Sequence, residues 1–149
     1  MPSLKKYLPQ SEAELHSLIQ HQLEDLEEGL RLLKHEYPTS GSGIIDLLCV
    51  DSGGRLVIIE FKLHEDENVL FQALRYFSAV DSSRHAVANA FANQHVNAEE
   101  SPRIVLVAEN FSSDLKRLST LVRPEVELYE YTVVTIPGGE RGAVFHSVS

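Results

Sequence analysis

Two consecutive strand-like runs, Ile44–Val50 and Arg55–Lys62, limit what this chain can fold into more than any other feature. Asp51-Ser52-Gly53-Gly54 joins them, the composition of a tight hairpin turn. Along the first run Ile44, Asp46, Leu48 and Val50 share one face, and Ile45, Leu47 and Cys49 the other. Along the second, Leu56, Ile58, Glu60 and Lys62 alternate with Val57, Ile59 and Phe61. Apolar side chains thus occupy both faces of both strands. A sheet wetted on one side does not tolerate that pattern, so the pair is predicted to be central and covered on each side.

The flanking sequence supplies the cover. Leu15, Leu18, Ile19, Leu23 and Leu26 form a helical stripe over Ser11–Leu26, with Ser11 as N-cap and Glu12 and Glu14 in the first turn. Glu14 lies one turn before Leu18, at the edge of the buried face. Gly29 ends this helix, and Leu30–Tyr37 reads as a strand followed by a loop through Gly43. Asn68–Val80 has helical spacing, and the alanine-rich stretch Arg84–Asn97 predicts a third helix. Ile104–Ala108 reads as a strand, and Ser112 or Ser113 caps a short helix running to about Leu121. Val126–Ile136 and Ala143–Val148 close the chain as a hairpin around Pro137-Gly138-Gly139. An α/β sandwich with a mixed central sheet fits this order, as one domain over residues 1–149.

Composition excludes several classes. No apolar run approaches the roughly 18 residues needed to span a bilayer, and no apolar stretch follows Lys5 and Lys6, so neither a membrane span nor a secretory signal is expected. Cys49 is the lone cysteine, which excludes an intrachain disulfide and a cysteine-based zinc site. The expected compartment is the cytoplasm. The net charge of −9 has the wrong sign for a protein held to nucleic acid by bulk electrostatics, so any such binding needs a local site.

Asp46, Glu60 and Lys62 interrupt the two most apolar strands, and charged groups are rarely buried unless paired or coordinating a metal. If Asp51 pairs with Arg55 across the turn, Asp46 falls opposite Glu60, with Cβ atoms roughly 4.5 to 5.5 Å apart. Two carboxylates so placed repel, and a divalent ion with oxygen ligands, Mg²⁺ or Mn²⁺, would turn repulsion into binding. Lys62 beside it would orient a water or stabilise charge developing on a phosphate. The alternative is purely structural: Lys62 pairs with Glu60 or Asp46 at a strand end. Residue chemistry leaves both readings open.

The surroundings carry more. Gly43-Ile44-Ile45-Asp46-Leu47-Leu48 followed by Gly54-Arg55-Leu56-Val57-Ile58-Ile59-Glu60-Phe61-Lys62 resembles the core of the PD-(D/E)XK nuclease superfamily, in particular the catalytic domain of NucS-type, mismatch-type endonucleases. Glu14 resembles that family's first-helix glutamate, and Glu27-Glu28-Gly29-Leu30-Arg31 the segment leading to its first strand. Gln72-Ala73-Leu74-Arg75-Tyr76 resembles its Gln-x-x-x-Tyr helix motif. The resemblance covers Ser11–Val80 and, more loosely, Ile104–Ala108.

It implies a restriction-endonuclease-like αβββαβ core and metal-dependent hydrolysis of DNA to a 5′-phosphate and a 3′-hydroxyl. Asp46 and Glu60 would be metal ligands and Lys62 the catalytic lysine. Glu14 would be an additional acid near the metal, with Glu12 as its alternative. Gln72 and Tyr76 would support the site or meet the DNA, although by spacing alone they read as a solvated position and a core-edge aromatic.

The chain departs from the family in three places. Ile45 stands where the superfamily name has proline. The segment after Lys62 reads Leu63-His64-Glu65-Asp66-Glu67, acidic where NucS-type enzymes tend to be basic. The family's separate N-terminal dimerisation and DNA-binding domain is not expected to fit in this length, so a homodimer or a partner subunit is expected to supply DNA binding. The histidines add little by spacing: His16 and His21 are five apart and do not share a helix face, and His64 reads as a loop residue. Two rival functions follow. One is a nuclease-like module without catalysis that binds DNA or a protein partner. The other is a structural interaction domain using Tyr129 and Tyr131, which share a strand face.

Overall fold

In the computed structural model, residues 4–149 are described; Met1 to Ser3, part of the stretch read for a targeting signal, lie outside the described residues. The elements in chain order are β1 (Lys5–Tyr7), α1 (Glu12–Gln20), α2 (Leu23–Leu26), β2 (Arg31–Pro38), β3 (Ile44–Val50), β4 (Leu56–Lys62), α3 (Val69–Ser82), α4 (Arg84–Ala90), β5 (Arg103–Ala108), α5 (Ser113–Ser119), β6 (Val126–Thr135) and β7 (Arg141–Ser147). All seven strands join one mixed sheet in the order β1-β6-β5-β4-β3-β2, with β7 on the outer side of β6. The β4–β5 and β5–β6 pairs are parallel and the others antiparallel.

The apolar pattern decides which strands are central. Leu56 to Phe61 and every residue of β5 are buried, and each sheet face carries its own apolar cluster. Leu48, Leu56 and Ile58 pack beneath α3 with Ala73, Phe77 and Val80. Leu47, Cys49, Val57, Ile59 and Phe61 pack on the opposite face against Leu15 and Ile19 of α1 and Leu23 and Leu26 of α2. The alternation expected of the two strands is thus realised, with one exception. Ile45 joins the α3-side cluster although Leu47 and Cys49 lie on the other, so β3 changes face at Asp46.

Three expectations are corrected. The helix from Ser11 stops at Gln20 and restarts as α2, because Gln22 turns its amide to the backbone of Ala143 in β7, accepting from its N–H at 2.7 Å and donating to its carbonyl at 3.1 Å. The third helix ends at Ala90, and after one 3₁₀ turn His95 adopts φ 57°. There the chain packs on the β3–β4 turn: Asn97 N–H donates to Gly54 O at 2.7 Å, and a Cβ on Gly54 (φ +88°) would stand 2.7 Å from His95 O. The strand β1 pairs with the far end of β6, Tyr7 opposite Val133. Tyr131 is buried with its hydroxyl donated to Leu63 O at 2.9 Å, and Tyr129 is half-buried against Glu127, so the late tyrosines pack within the sheet.

Candidate active site

The β3–β4 turn closes as the sequence requires, with Asp51 N–H donating to Arg55 O at 2.9 Å. The ladder then runs from Val50 opposite Leu56 to Leu47 opposite Ile59. The next position brings Asp46 to Glu60, and there side chains take over from the backbone. Asp46 N–H donates to Glu60 Oε1 at 2.9 Å, while Phe61 N–H donates to Asp46 Oδ2 at 2.8 Å. The strands part at this point and the two carboxylates fill the gap. Each bond is charge-assisted when its carboxylate is ionised, and together they tie each carboxyl group to the opposite strand.

Electrostatically the pair is strained. Burial, with the Asp46 carboxylate beside it, pushes Glu60 up to about 9, against the opposing pull of the Asp46 N–H and of Lys62. Like-charged neighbours in a dry setting favour protonation unless a cation intervenes. The fit to a hard divalent ion follows from this donor set: Mg²⁺ is commonly held through one or two carboxylates plus water and substrate phosphate. Among the described residues no three His, Cys, Asp or Glu side chains converge as a ready-made cage. Two carboxylates with an incomplete shell are what such an ion needs when the substrate completes it.

From α3, Tyr76 faces the pair. It is 3 % exposed, and its hydroxyl accepts from Gln72 Nε2 at 3.0 Å. Burial raises its phenol and the Glu60 and Asp46 carboxylates add to the rise. Gly43 makes room for it: at φ +104°, a Cβ there would stand 3.1 Å from the Tyr76 hydroxyl. Tyr76 therefore meets the site from inside the fold, and Gln72 is the half-buried member of the motif.

Lys62 ends β4, half-buried, and its ammonium is 3.7 Å from Asp66 Oδ2. The structural alternative had it pairing with Asp46 or Glu60; its ion-pair partner is instead the acidic segment that follows it. That segment is itself tethered, by Asn110 Nδ2 donating to Glu65 at 3.2 Å and by His64 set 3.2 Å from Glu109. Of the two first-helix acids, Glu12 is exposed, whereas Glu14 is half-buried with Oε1 lacking a hydrogen-bond partner. As an acceptor the Glu14 carboxylate holds the Tyr7 phenol above its usual value. No described hydrogen bond or ion pair joins Glu14 to Asp46 or Glu60.

Spacing along the helix missed His16. Its Nε2 lies 3.5 Å from Asp46 Oδ2, and its ring stands edge-on to Phe61, with centroids 5.0 Å apart. Tested against His21 alone it carried no signal; its partner is thirty positions away in the chain. Cys49 is fully buried, and burial pushes its thiol up to about 12, so it remains a core residue.

The family model described as the Endonuclease NucS C-terminal domain matches residues 11–121. The chain belongs to that family. Relatives include the Endonuclease NucS of Streptomyces griseus, 34 % identical over 90 residues, and that of Mycolicibacterium smegmatis, 37 % identical over 90 residues. Each match covers 59 % of this chain and 40 % of the relative, so the chain spans well under two thirds of the relatives' length. Among solved structures, an EndoMS–dsDNA complex aligns with 85 % of this chain and 47 % of its own, at 28 % identity and TM-score 0.54. A repair endonuclease from Pyrococcus abyssi aligns with 85 % of this chain and 49 % of its own, at 26 % identity and TM-score 0.55. The NucS C-terminal domain match begins at the N-cap of α1 and takes in β2 to α5, so it contains every residue of the acid pair, the lysine and the Gln–Tyr motif.

Proposed function

We propose that this chain is the catalytic domain of a divalent-metal-dependent DNA endonuclease. One observation carries the reading: Asp46 and Glu60 are interlocked where β3 and β4 part, with Glu60 held far above the usual carboxylate range. Membership of the NucS C-terminal domain family supports it. Asp46 and Glu60 would hold Mg²⁺ or Mn²⁺. When bound, such an ion polarises a phosphoryl oxygen and lowers the pKa of a coordinated water. Lys62, two residues beyond Glu60 on the same strand face, would place its charge on the attacking water or on the phosphate as negative charge builds. Tyr76, locked by Gln72, would keep the inner wall of the pair from relaxing. Water adds to phosphorus as the P–O3′ bond breaks, leaving a 5′-phosphate and a 3′-hydroxyl.

With a net charge of −9 working against a phosphate backbone, DNA affinity would be shared with a second copy of the chain or with a partner subunit. A second reading, a nuclease-like module that binds without cleaving, draws support from the Lys62–Asp66 pair and the acidic segment around it, which repel a phosphate backbone. The deciding experiment incubates the protein and Asp46→Ala with single-stranded, duplex, branched and mismatched DNA in Mg²⁺, Mn²⁺ or chelator. Cleavage that needs both the ion and Asp46 supports the enzyme. Metal-independent DNA binding with no cleavage supports the module.

A further inference from the structure

We infer that His16 is a positioning residue for Asp46, its Nε2–H holding the carboxylate that would bind the divalent ion. This rests on the metal-dependent reading above. The observation is a buried, unpartnered ring nitrogen set beside a carboxylate oxygen. His16 Nε2 is shielded from solvent and has no formed hydrogen bond, yet Asp46 Oδ2 stands 3.5 Å away. Oδ2 already accepts from Phe61 N–H at 2.8 Å, so a second donor on the same oxygen would fix the carboxylate's rotation as well as its place.

The imidazole is held for that task from three sides. Ser11 caps α1 by accepting from Glu14 N–H at 3.1 Å, which fixes the first turn, and His16 begins the next. Leu15 and Ile19, beside it on the helix, are fully buried. The ring stands edge-on to Phe61 at 5.0 Å and to His35 at 5.9 Å. Phe61 thus contacts Asp46 through its backbone and His16 through its ring, and couples helix to strand at this point. An N–H on Nε2 is present in one neutral tautomer and in the charged ring alike, so the role needs no change of protonation. Groups that orient metal-binding side chains typically change metal affinity 10- to 100-fold when removed. The 3.5 Å contact is expected to shorten into a hydrogen bond when the carboxylate is engaged, as polar contacts in ligand-free sites commonly do.

The test is Mn²⁺ titration followed by calorimetry and by the electron paramagnetic resonance of free Mn²⁺, with no DNA present. His16→Phe keeps a ring against Phe61 and His35 but removes the donor; His16→Met fills similar space without one. His16→Gln restores an N–H at comparable reach. Both donor-free variants should bind Mn²⁺ at least about tenfold more weakly than the parent, with His16→Gln within about threefold of it. Thermal unfolding of each variant separates affinity from loss of fold, and having two donor-free variants means one can fail to fold without removing the test. Unchanged Mn²⁺ affinity in a folded donor-free variant overturns the inference alone, as does a loss that His16→Gln fails to recover. A parent protein that binds Mn²⁺ no better than Asp46→Ala overturns the metal-dependent reading, and this inference with it.

Discussion

Glu60 is 2 % exposed and stands beside a second carboxylate, so its ionisation opposes folding in the metal-free protein. Its unfolded value is about 4.3, and the fold raises it to about 9. A raised acid adds its full stability below the unfolded value and loses it progressively as pH climbs through the folded one. The metal-free protein should therefore grow less stable from about pH 4.3 towards 9 because of this group. Glu60→Gln removes the penalty and keeps an oxygen to accept from Asp46 N–H. In chelator at pH 8 its melting temperature should exceed the parent's by several degrees, at roughly 2 to 4 °C per kcal/mol for a chain of this size. At pH 4.5 the two should nearly coincide. Adding Mg²⁺ should then raise the parent and leave Glu60→Gln unmoved. A flat pH profile of the difference, measured by scanning calorimetry, rules the argument out.

At the scale of elements, the loop between β4 and α3 sets what Lys62 can do. The Lys62–Asp66 pair is partly exposed and contributes about 1 kcal/mol or less to stability. Its electrostatic reach matters more under the proposed function, in which Lys62 would meet a phosphate. Asp66→Asn should leave the melting temperature within about 2 °C, and strengthen DNA binding a few-fold at low salt. Fluorescence anisotropy at two ionic strengths checks this; the gain should vanish near 1 M salt, where the screening length falls to about 3 Å. Equal affinities at low salt would mean that DNA does not approach this loop.

The same scale shows what the sequence made legible. The β3–β4 register followed from one turn and one alternation, and it placed Asp46 against Glu60 before any contact was known. Local signals sufficed because hairpin and turn are neighbours in the chain. Where partners are distant, they did not suffice. Lys5–Tyr7 has no strand pattern of its own and is a strand through Val133–Thr135. The leucine stripe ran unbroken across His21 and Gln22, while Ala143 turned the backbone there. His16 likewise takes its meaning from Asp46 and Phe61, on two other elements.

Across the whole molecule, the sheet carries buried charge at both ends, solved in opposite ways. At the end where β5 begins, Arg103 is 5 % exposed among Glu27, Asp51 and Glu127, with Nη1 2.6 Å from Glu127 and Nη2 3.3 Å from Asp51 and bonded to Glu27. Burial works against its charge, and the three carboxylates outweigh burial. At the end where β4 finishes, two carboxylates meet without such a cation between them. One end is closed by the protein's own charge; at the other, on the proposed reading, the charge would come from outside. The two ends should therefore respond oppositely to removal of a single group. Arg103→Ala strands three acids and should cost about 3 kcal/mol, while leaving the Mn²⁺-induced rise in melting temperature intact. Asp46→Asn relieves a repulsion and keeps an acceptor for Phe61 N–H. It should leave the metal-free protein as stable as the parent or more so, and abolish the Mn²⁺-induced rise. Urea unfolding with and without Mn²⁺ reads both quantities from one set of samples. A metal response lost in Arg103→Ala, or retained in Asp46→Asn, would contradict this division of labour between the two ends of the sheet.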